Sequence, residues 1–181
     1  DVSVRGNGVS DAGAIELLQS ILEGGGGPSL LKLDLGGNQL DLSAPRLVEL
    51  LRLLPGLRVL DLSWNLITLP TFQHKALAKA LLPACPALRV LSVSYNRMGD
   101  AGVCLLLTAA MQAPLLQLLD LAYCFCTDKA VDPLLALLAA PQKQAGASLV
   151  LLHGVALPLS RAELVLRAAQ EGGRRVVLEG H

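Results

Sequence analysis

The apolar residues of this chain recur in one fixed arrangement. Leu30-x-x-Leu33-x-Leu35-x-x-Asn38-x-Leu40 returns as Leu57-x-x-Leu60-x-Leu62-x-x-Asn65-x-Ile67 and again as Leu88-x-x-Leu91-x-Val93-x-x-Asn96-x-Met98. A fourth copy, Leu116-x-x-Leu119-x-Leu121-x-x-Cys124-x-Cys126, puts cysteine where asparagine stood. The opening Val2-x-Val4-x-x-Asn7-x-Val9 is the same unit with its first positions cut off. The central Leu-x-Leu predicts a short strand, because alternate side chains share one face and the two leucines then point into a common core. The asparagine falls where the chain leaves that strand, with an amide that can pair with backbone groups of neighbouring coils. Cys124 is therefore expected to fill a repeat position rather than to act as a nucleophile.

The spacing between these asparagine positions is 31 residues (7 to 38), 27 (38 to 65), 31 (65 to 96) and 28 (96 to 124). Repeats this long leave room for a helix on the return limb. The segments Ala12–Leu22, Ala44–Leu54, Lys75–Leu82, Ala101–Met111 and Lys129–Ala139 carry apolar residues three and four apart, which predicts amphipathic helices. Ser10-Asp11, Ser43, Asp100 and Thr127-Asp128 are expected caps, Pro45 suits a first helical turn, and Ser160-Arg161-Ala162-Glu163 reads as a capping box for one more helix. Loops rich in glycine or proline follow the helices, as at Gly24–Pro28 and Pro55-Gly56.

Repeats of 27–31 residues with this motif, and a D-A-G-type helix start at Asp11-Ala12-Gly13 and Asp100-Ala101-Gly102, resemble the ribonuclease-inhibitor-like subfamily of leucine-rich repeats. The resemblance covers roughly residues 1–140. It implies an α/β fold: a curved leucine-rich-repeat solenoid, or horseshoe, with a parallel β-sheet on its concave face and α-helices on its convex face. It also implies an intracellular setting, because extracellular subtypes are typically shorter and carry cysteine-rich caps.

Two units are expected. Residues 1–140 hold about five repeats, the first truncated. Residues 141–181 are degenerate: Val150 and Leu152 align with a strand, Val155 replaces asparagine, a helix is expected near Ser160–Gln170 and a last strand at Val176–Leu178. Terminal repeats of solenoids are atypical because they cover the open end of the core, so 141–181 reads as a C-terminal cap. With no cap before Val2, the chain reads as a fragment of a larger intracellular multidomain protein whose N-terminal end packs on another domain.

Composition narrows the partners. Fifteen Lys+Arg balance fifteen Asp+Glu, nine of each sign in residues 1–100 and six in 101–181. That removes the electrostatic footprint of direct nucleic-acid or membrane binding. The longest uncharged run, Ala101–Leu119, is interrupted by Gln112, Pro114 and Gln117, so it does not read as a spanning helix. Four cysteines in 181 residues are few for a disulfide scaffold, and Cys124-x-Cys126 has no second half at metal-ligand spacing. Reduced thiols, a cytoplasmic or nuclear location, and no metal or cofactor are expected.

Known catalytic motifs are missing, and Gly24–Gly27 lacks both the preceding strand and the following Lys-Ser/Thr of a phosphate loop. The repeat register instead defines columns on the concave face. Between the strand leucines stand Ser3, Asp34, Asp61, Ser92, Asp120 and, in the cap, Leu151. Just before the asparagine position stand Gly6, Gly37, Trp64, Tyr95 and Tyr123, so that the only Trp and both Tyr residues share one position in three consecutive repeats. Such a column either covers the sheet edge structurally or forms a binding hot spot, where Trp and Tyr concentrate affinity. Arg97 and Phe125 follow the strands, while Arg58 and Arg89 near the strand starts read as solvated positions. The candidate partner-binding residues are Trp64, Tyr95, Tyr123, Asp34, Asp61, Asp120, Arg97 and Phe125.

A non-catalytic protein–protein interaction module is therefore expected, as a scaffold in chromatin, repair or signalling. The resemblance admits two alternatives: the sensor or autoinhibitory domain of an innate immune receptor, and a GTPase-activating or GTPase-binding protein presenting Arg97.

Overall fold

The computed structural model describes residues 1–68, 80–141, 147–155 and 157–178. Each Leu-x-Leu unit forms a strand, and the strands join in chain order into one seven-stranded, all-parallel sheet. These are β1 (Val2–Ser3), β2 (Lys32–Asp34), β3 (Val59–Asp61), β4 (Val90–Ser92), β5 (Leu118–Asp120), β6 (Leu149–Leu151) and β7 (Arg175–Val177). The return limbs carry α1 (Asp11–Glu23), α2 (Pro45–Leu51), α3 (Gly99–Ala110), α4 (Val131–Ala139) and α5 (Leu159–Glu171). This is the expected α/β solenoid. The helix expected at Lys75–Leu82 lies mostly outside the described residues, of which 80–84 are helical.

Register follows the motif without a slip. Leu33, Leu60, Leu91, Leu119 and Val150 face one another on successive strands and are fully buried. Leu35, Leu62, Val93 and Leu121 form the next buried row. Each such leucine contributes about 1.5–3 kcal/mol by leaving water, so the repeated motif is itself the main source of stability.

The asparagine ladder occupies the strand exits. Asn96 is fully buried; its Nδ2 donates to the carbonyls of Leu62 and Val93 at 2.9 Å, and its Oδ1 accepts from the Ile67 N–H at 3.0 Å. Asn65 makes the same set with Leu35, Leu62 and Leu40. In the fourth coil the Cys124 thiol donates to the Val93 carbonyl at 3.3 Å, so cysteine does fill the asparagine rung. Burial pushes the Cys124 thiol up to about 12.

Several caps depart from expectation for one reason: they come from neighbouring coils. Ser43 does not cap α2, whose flanking residue is Ala44. The Asp11 carboxylate, from the start of α1, instead accepts from the N–H groups of Asp41, Leu42 and Ala44 at 3.0–3.3 Å. Asp100 repeats the device three coils later, accepting from the Thr127 N–H at 2.6 Å and from its hydroxyl at 3.0 Å. The aspartate of each D-A-G triplet thus ties its coil to the next. Helix α5 begins at Leu159, after Pro158, so Ser160 lies inside it and forms no capping box. The last helix-to-strand connection holds Arg174, only 5% exposed, whose guanidinium donates to the carbonyls of Leu137 and Leu138 at the end of α4. A cation there also suits the negative end of the helix dipole.

Candidate functional site

The outer face of the sheet presents the side chains that alternate with the leucine core. Ser3, Asp34, Asp61, Ser92, Asp120 and Leu151 stand opposite one another in sequence, as the repeat register requires. Each aspartate of this column is engaged. Oδ1 of Asp34, Asp61 and Asp120 accepts from the backbone N–H two residues on, at Gly36, Ser63 and Ala122, at 2.8–3.1 Å. Asp120 also accepts from the Ser92 hydroxyl at 2.9 Å. The column therefore fixes the strand exits as well as facing outward.

Arg5 changes the charge of this column, which no local pattern in the chain foretells. Its guanidinium lies 3.2 Å from Asp34 and 2.8 Å from Asp61, and donates to the Ser63 hydroxyl at 3.2 Å. It crosses Gly36, where a side chain would displace the guanidinium from its place over the strand exit. Burial raises the Asp34 carboxyl, but the Gly36 N–H, the Ser3 hydroxyl and Arg5 outweigh it and hold the group below its usual range. Arg5 is 29 and 56 residues from its two partners, beyond any local pattern.

Beyond the acids lies the aromatic column, and its backbone is unusual. Trp64, Tyr95 and Tyr123 all adopt positive φ, at 56°, 55° and 54°. Gly6, Gly37 and Gly154 hold the equivalent positions in the flanking coils with φ of 72°, 64° and 76°. The turn out of each strand thus needs a left-handed residue, and glycine is its ordinary occupant. A bulky side chain there is strained and points to a functional hypothesis. The three rings stack in a ladder: Trp64 on Tyr95 at 3.8 Å between centroids and 9° between planes, Tyr95 on Tyr123 at 4.6 Å and 21°. Tyr123 ends against His153 at 6.4 Å and over Gly154, where a Cβ would clash with its ring at 2.6 Å.

The ladder is one wall of a shallow groove of about 520 Å³ lined by Trp64, Leu66, Tyr95, Arg97, Tyr123 and Phe125. Its apolar members are open to solvent: Trp64 is 54%, Leu66 57% and Phe125 71% exposed. Phe125 also carries a positive φ of 58°. Arg97 is exposed and makes no ion pair or side-chain hydrogen bond among the described residues. Of the eight residues singled out from the sequence, Trp64, Tyr95, Tyr123, Arg97 and Phe125 converge on this ledge. Asp34, Asp61 and Asp120 form the neighbouring column and do not line it.

The repeat motif also left one outward column unmarked. Val59, Val90, Leu118 and Leu149 stand in register at the strand starts, half-buried. They alternate with the core leucines just as the aspartates do, and that alternation could have found them.

Burial pushes the thiols of Cys85 and Cys126 up as well, to about 12 and about 11, away from nucleophilic reactivity at neutral pH. Among the described residues, no group of three or more His, Cys, Asp or Glu side chains is placed to hold a metal ion. Nor is any helix among them long and apolar enough to cross a membrane.

A family model described as Leucine Rich repeat matches residues 84–106, which span the strand, asparagine rung and helix start of the third complete copy. The match covers one repeat, and the seven-stranded parallel sheet is that of a leucine-rich-repeat solenoid, a fold suited to protein interaction. No curated protein matches the chain.

Proposed function

We propose that this chain is a non-catalytic protein-interaction module whose contact surface centres on the ledge formed by Trp64, Tyr95, Tyr123, Arg97 and Phe125. The observation that carries this is the coincidence of strain and exposure. Three aromatic residues occupy a backbone position that glycine fills in the flanking coils, and there Trp64 and Tyr95 remain open to solvent while Tyr123 is half-buried. A purely structural turn would keep glycine, at no steric cost. Asp34, Asp61 and Asp120 support the ledge by fixing the strand exits from which it projects.

Repeat length and the cross-coil aspartates of the D-A-G starts favour the ribonuclease-inhibitor-like type. We place the module in an intracellular scaffold acting in chromatin, repair or signalling, with residues 141–181 closing the end of the stack. Arg174, tying the last connection to α4, suits that closing role.

The test replaces Trp64 and Tyr95 together by glycine, which suits their φ and should spare the fold. An immobilised chain would capture partners from cell extract, with denaturation curves run in parallel. A hot spot loses at least about 2 kcal/mol, so retention of any specific partner should fall roughly 30-fold. Unchanged capture by a folded double variant would refute the assignment.

A further inference from the structure

The apolar column on the outer face lies between two charged rows. Val59, Val90, Leu118 and Leu149 span four adjacent coils. On one side stand Arg58 and Arg89, exposed, each one residue before its strand. They are neighbours, since the Arg89 N–H donates to the Arg58 carbonyl at 2.8 Å. Neither guanidinium makes an ion pair or side-chain hydrogen bond among the described residues. On the other side stand Asp61 and Asp120 in the acidic column. A net charge of zero thus conceals rows of opposite sign on the two flanks of an apolar stripe.

Dimensions select what fits. From Arg58 to Asp61 is three residues of extended chain, about 10 Å, which is the diameter of an α-helix with its side chains. Coils repeat every 4.8 Å or so, against about 5.4 Å per helical turn, so four rungs span about 14 Å and three turns about 16 Å. One apolar residue per turn therefore meets each coil. An extended segment crossing the strands repeats its side chains every ~7 Å and falls out of step at once.

Resting on the interaction-module reading, we infer that this face receives an amphipathic α-helix of a partner protein, lying across the strands. Its apolar stripe covers Val59, Val90, Leu118 and Leu149, its acidic flank meets Arg58 and Arg89, and its basic flank meets Asp120, beyond Asp61, which Arg5 already pairs. A hollow of about 450 Å³ lies beside Arg89 at the Pro114–Gln117 connection, lined also by Ser148 and Arg174. The charge rows set the direction of the helix, because reversing it would exchange the flanks.

The probe is a fluorescent synthetic helix of about 15 residues, with leucine at i, i+3/i+4 and i+7, glutamate on one flank and lysine on the other. Anisotropy titration with the full chain should show saturable binding. Arg58→Glu with Arg89→Glu should weaken it roughly tenfold and make a peptide with lysine on both flanks the better ligand. The milder Arg58→Gln with Arg89→Gln pair should lose several-fold, which guards against misfolding of the reversed variant. Equal binding of a peptide carrying a central proline, indifference to the arginine changes, or no saturation would each overturn the helix. If the Trp64 and Tyr95 glycine variant loses its captured partners while the arginine variants change nothing, the module reading stands and only the helix falls.

Discussion

Replacing all three ladder aromatics, Trp64, Tyr95 and Tyr123, by glycine should leave a more stable protein than replacing them by alanine. Both changes remove the same stacking. Both also leave the strand-exit turn with φ near 55° at each position. Alanine keeps a Cβ in the left-handed region, at about 1–2 kcal/mol per residue, whereas glycine does not. Glycine's greater freedom in the unfolded chain takes back about 0.4–1 kcal/mol at each site. The net advantage of about 0.5–1 kcal/mol per position gives roughly 1.5–3 kcal/mol for the triple variant when summed, with any coupling between these adjacent turns common to both variants because both lack the rings. Urea denaturation of the two triple variants, with equal m-values, resolves a difference of that size. The order is the reverse of that in a helix or strand, where alanine is the more stable. A triple-alanine protein as stable as the triple-glycine one would mean that the turns relax and that no strain is held there. The functional reading of the ledge would then lose its support.

Three further outcomes follow from the packing. Asn96→Leu should cost about 1–3 kcal/mol in urea denaturation, because the Ile67 N–H loses its buried acceptor and the Leu62 and Val93 carbonyls keep only the Asn65 amide and the Cys124 thiol as donors; a change of a few tenths would refute the ladder. Arg174→Met keeps the apolar stem but removes the charged donor of the Leu138 carbonyl and leaves the Leu137 carbonyl only the Ala140 N–H, and should cost about 1–3 kcal/mol, with Arg174→Lys between it and the parent. Native Cys85, Cys124 and Cys126 should resist Ellman's reagent at pH 8 until the chain unfolds. Their folded values of about 12, 12 and 11 lie above the ordinary 9.0, so the native state holds more protons at alkaline pH. Stability should therefore fall as pH rises above about 9, and thermal melts that rise instead would contradict the burial.

The strands, their register and the asparagine ladder were legible because one motif recurs with period-two alternation, and a slip of one residue would turn every leucine outward. Caps were less legible because Ser43 and Ser160 have the right residue type at the right local spacing. The groups that satisfy these helix starts lie about thirty residues away, on Asp11 and Asp100, or are replaced by Pro158. The aromatic column was visible as a coincidence of position, but not its strain: φ is a property of the turn, and only comparison with Gly37 and Gly154 reveals what the turn prefers.

Strain and stacking at the ledge support each other, and together they explain how a shallow surface could bind. A lone exposed tyrosine samples several rotamers, and immobilising it against a partner costs about 0.5–1.5 kcal/mol. In the ladder, Tyr95 is held between Trp64 and Tyr123, and Tyr123 against Gly154, so most of that ordering is already present in the free protein. The fold tolerates the left-handed strain because each stacked pair returns about 0.5–1.5 kcal/mol. The flanking glycines also set the ledge's length, since Gly37 ends the ladder before β3 and Gly154 ends it after β5. A partner therefore meets a preorganised aromatic surface three coils long, with Arg97 as its free charge. Gly37→Asn, which tolerates positive φ without adding a ring, should leave affinity unchanged, whereas Gly37→Trp should lengthen the ladder and extend the contact. Equal effects of the two in a binding titration would show that the rings act by filling the turn and not by offering their faces.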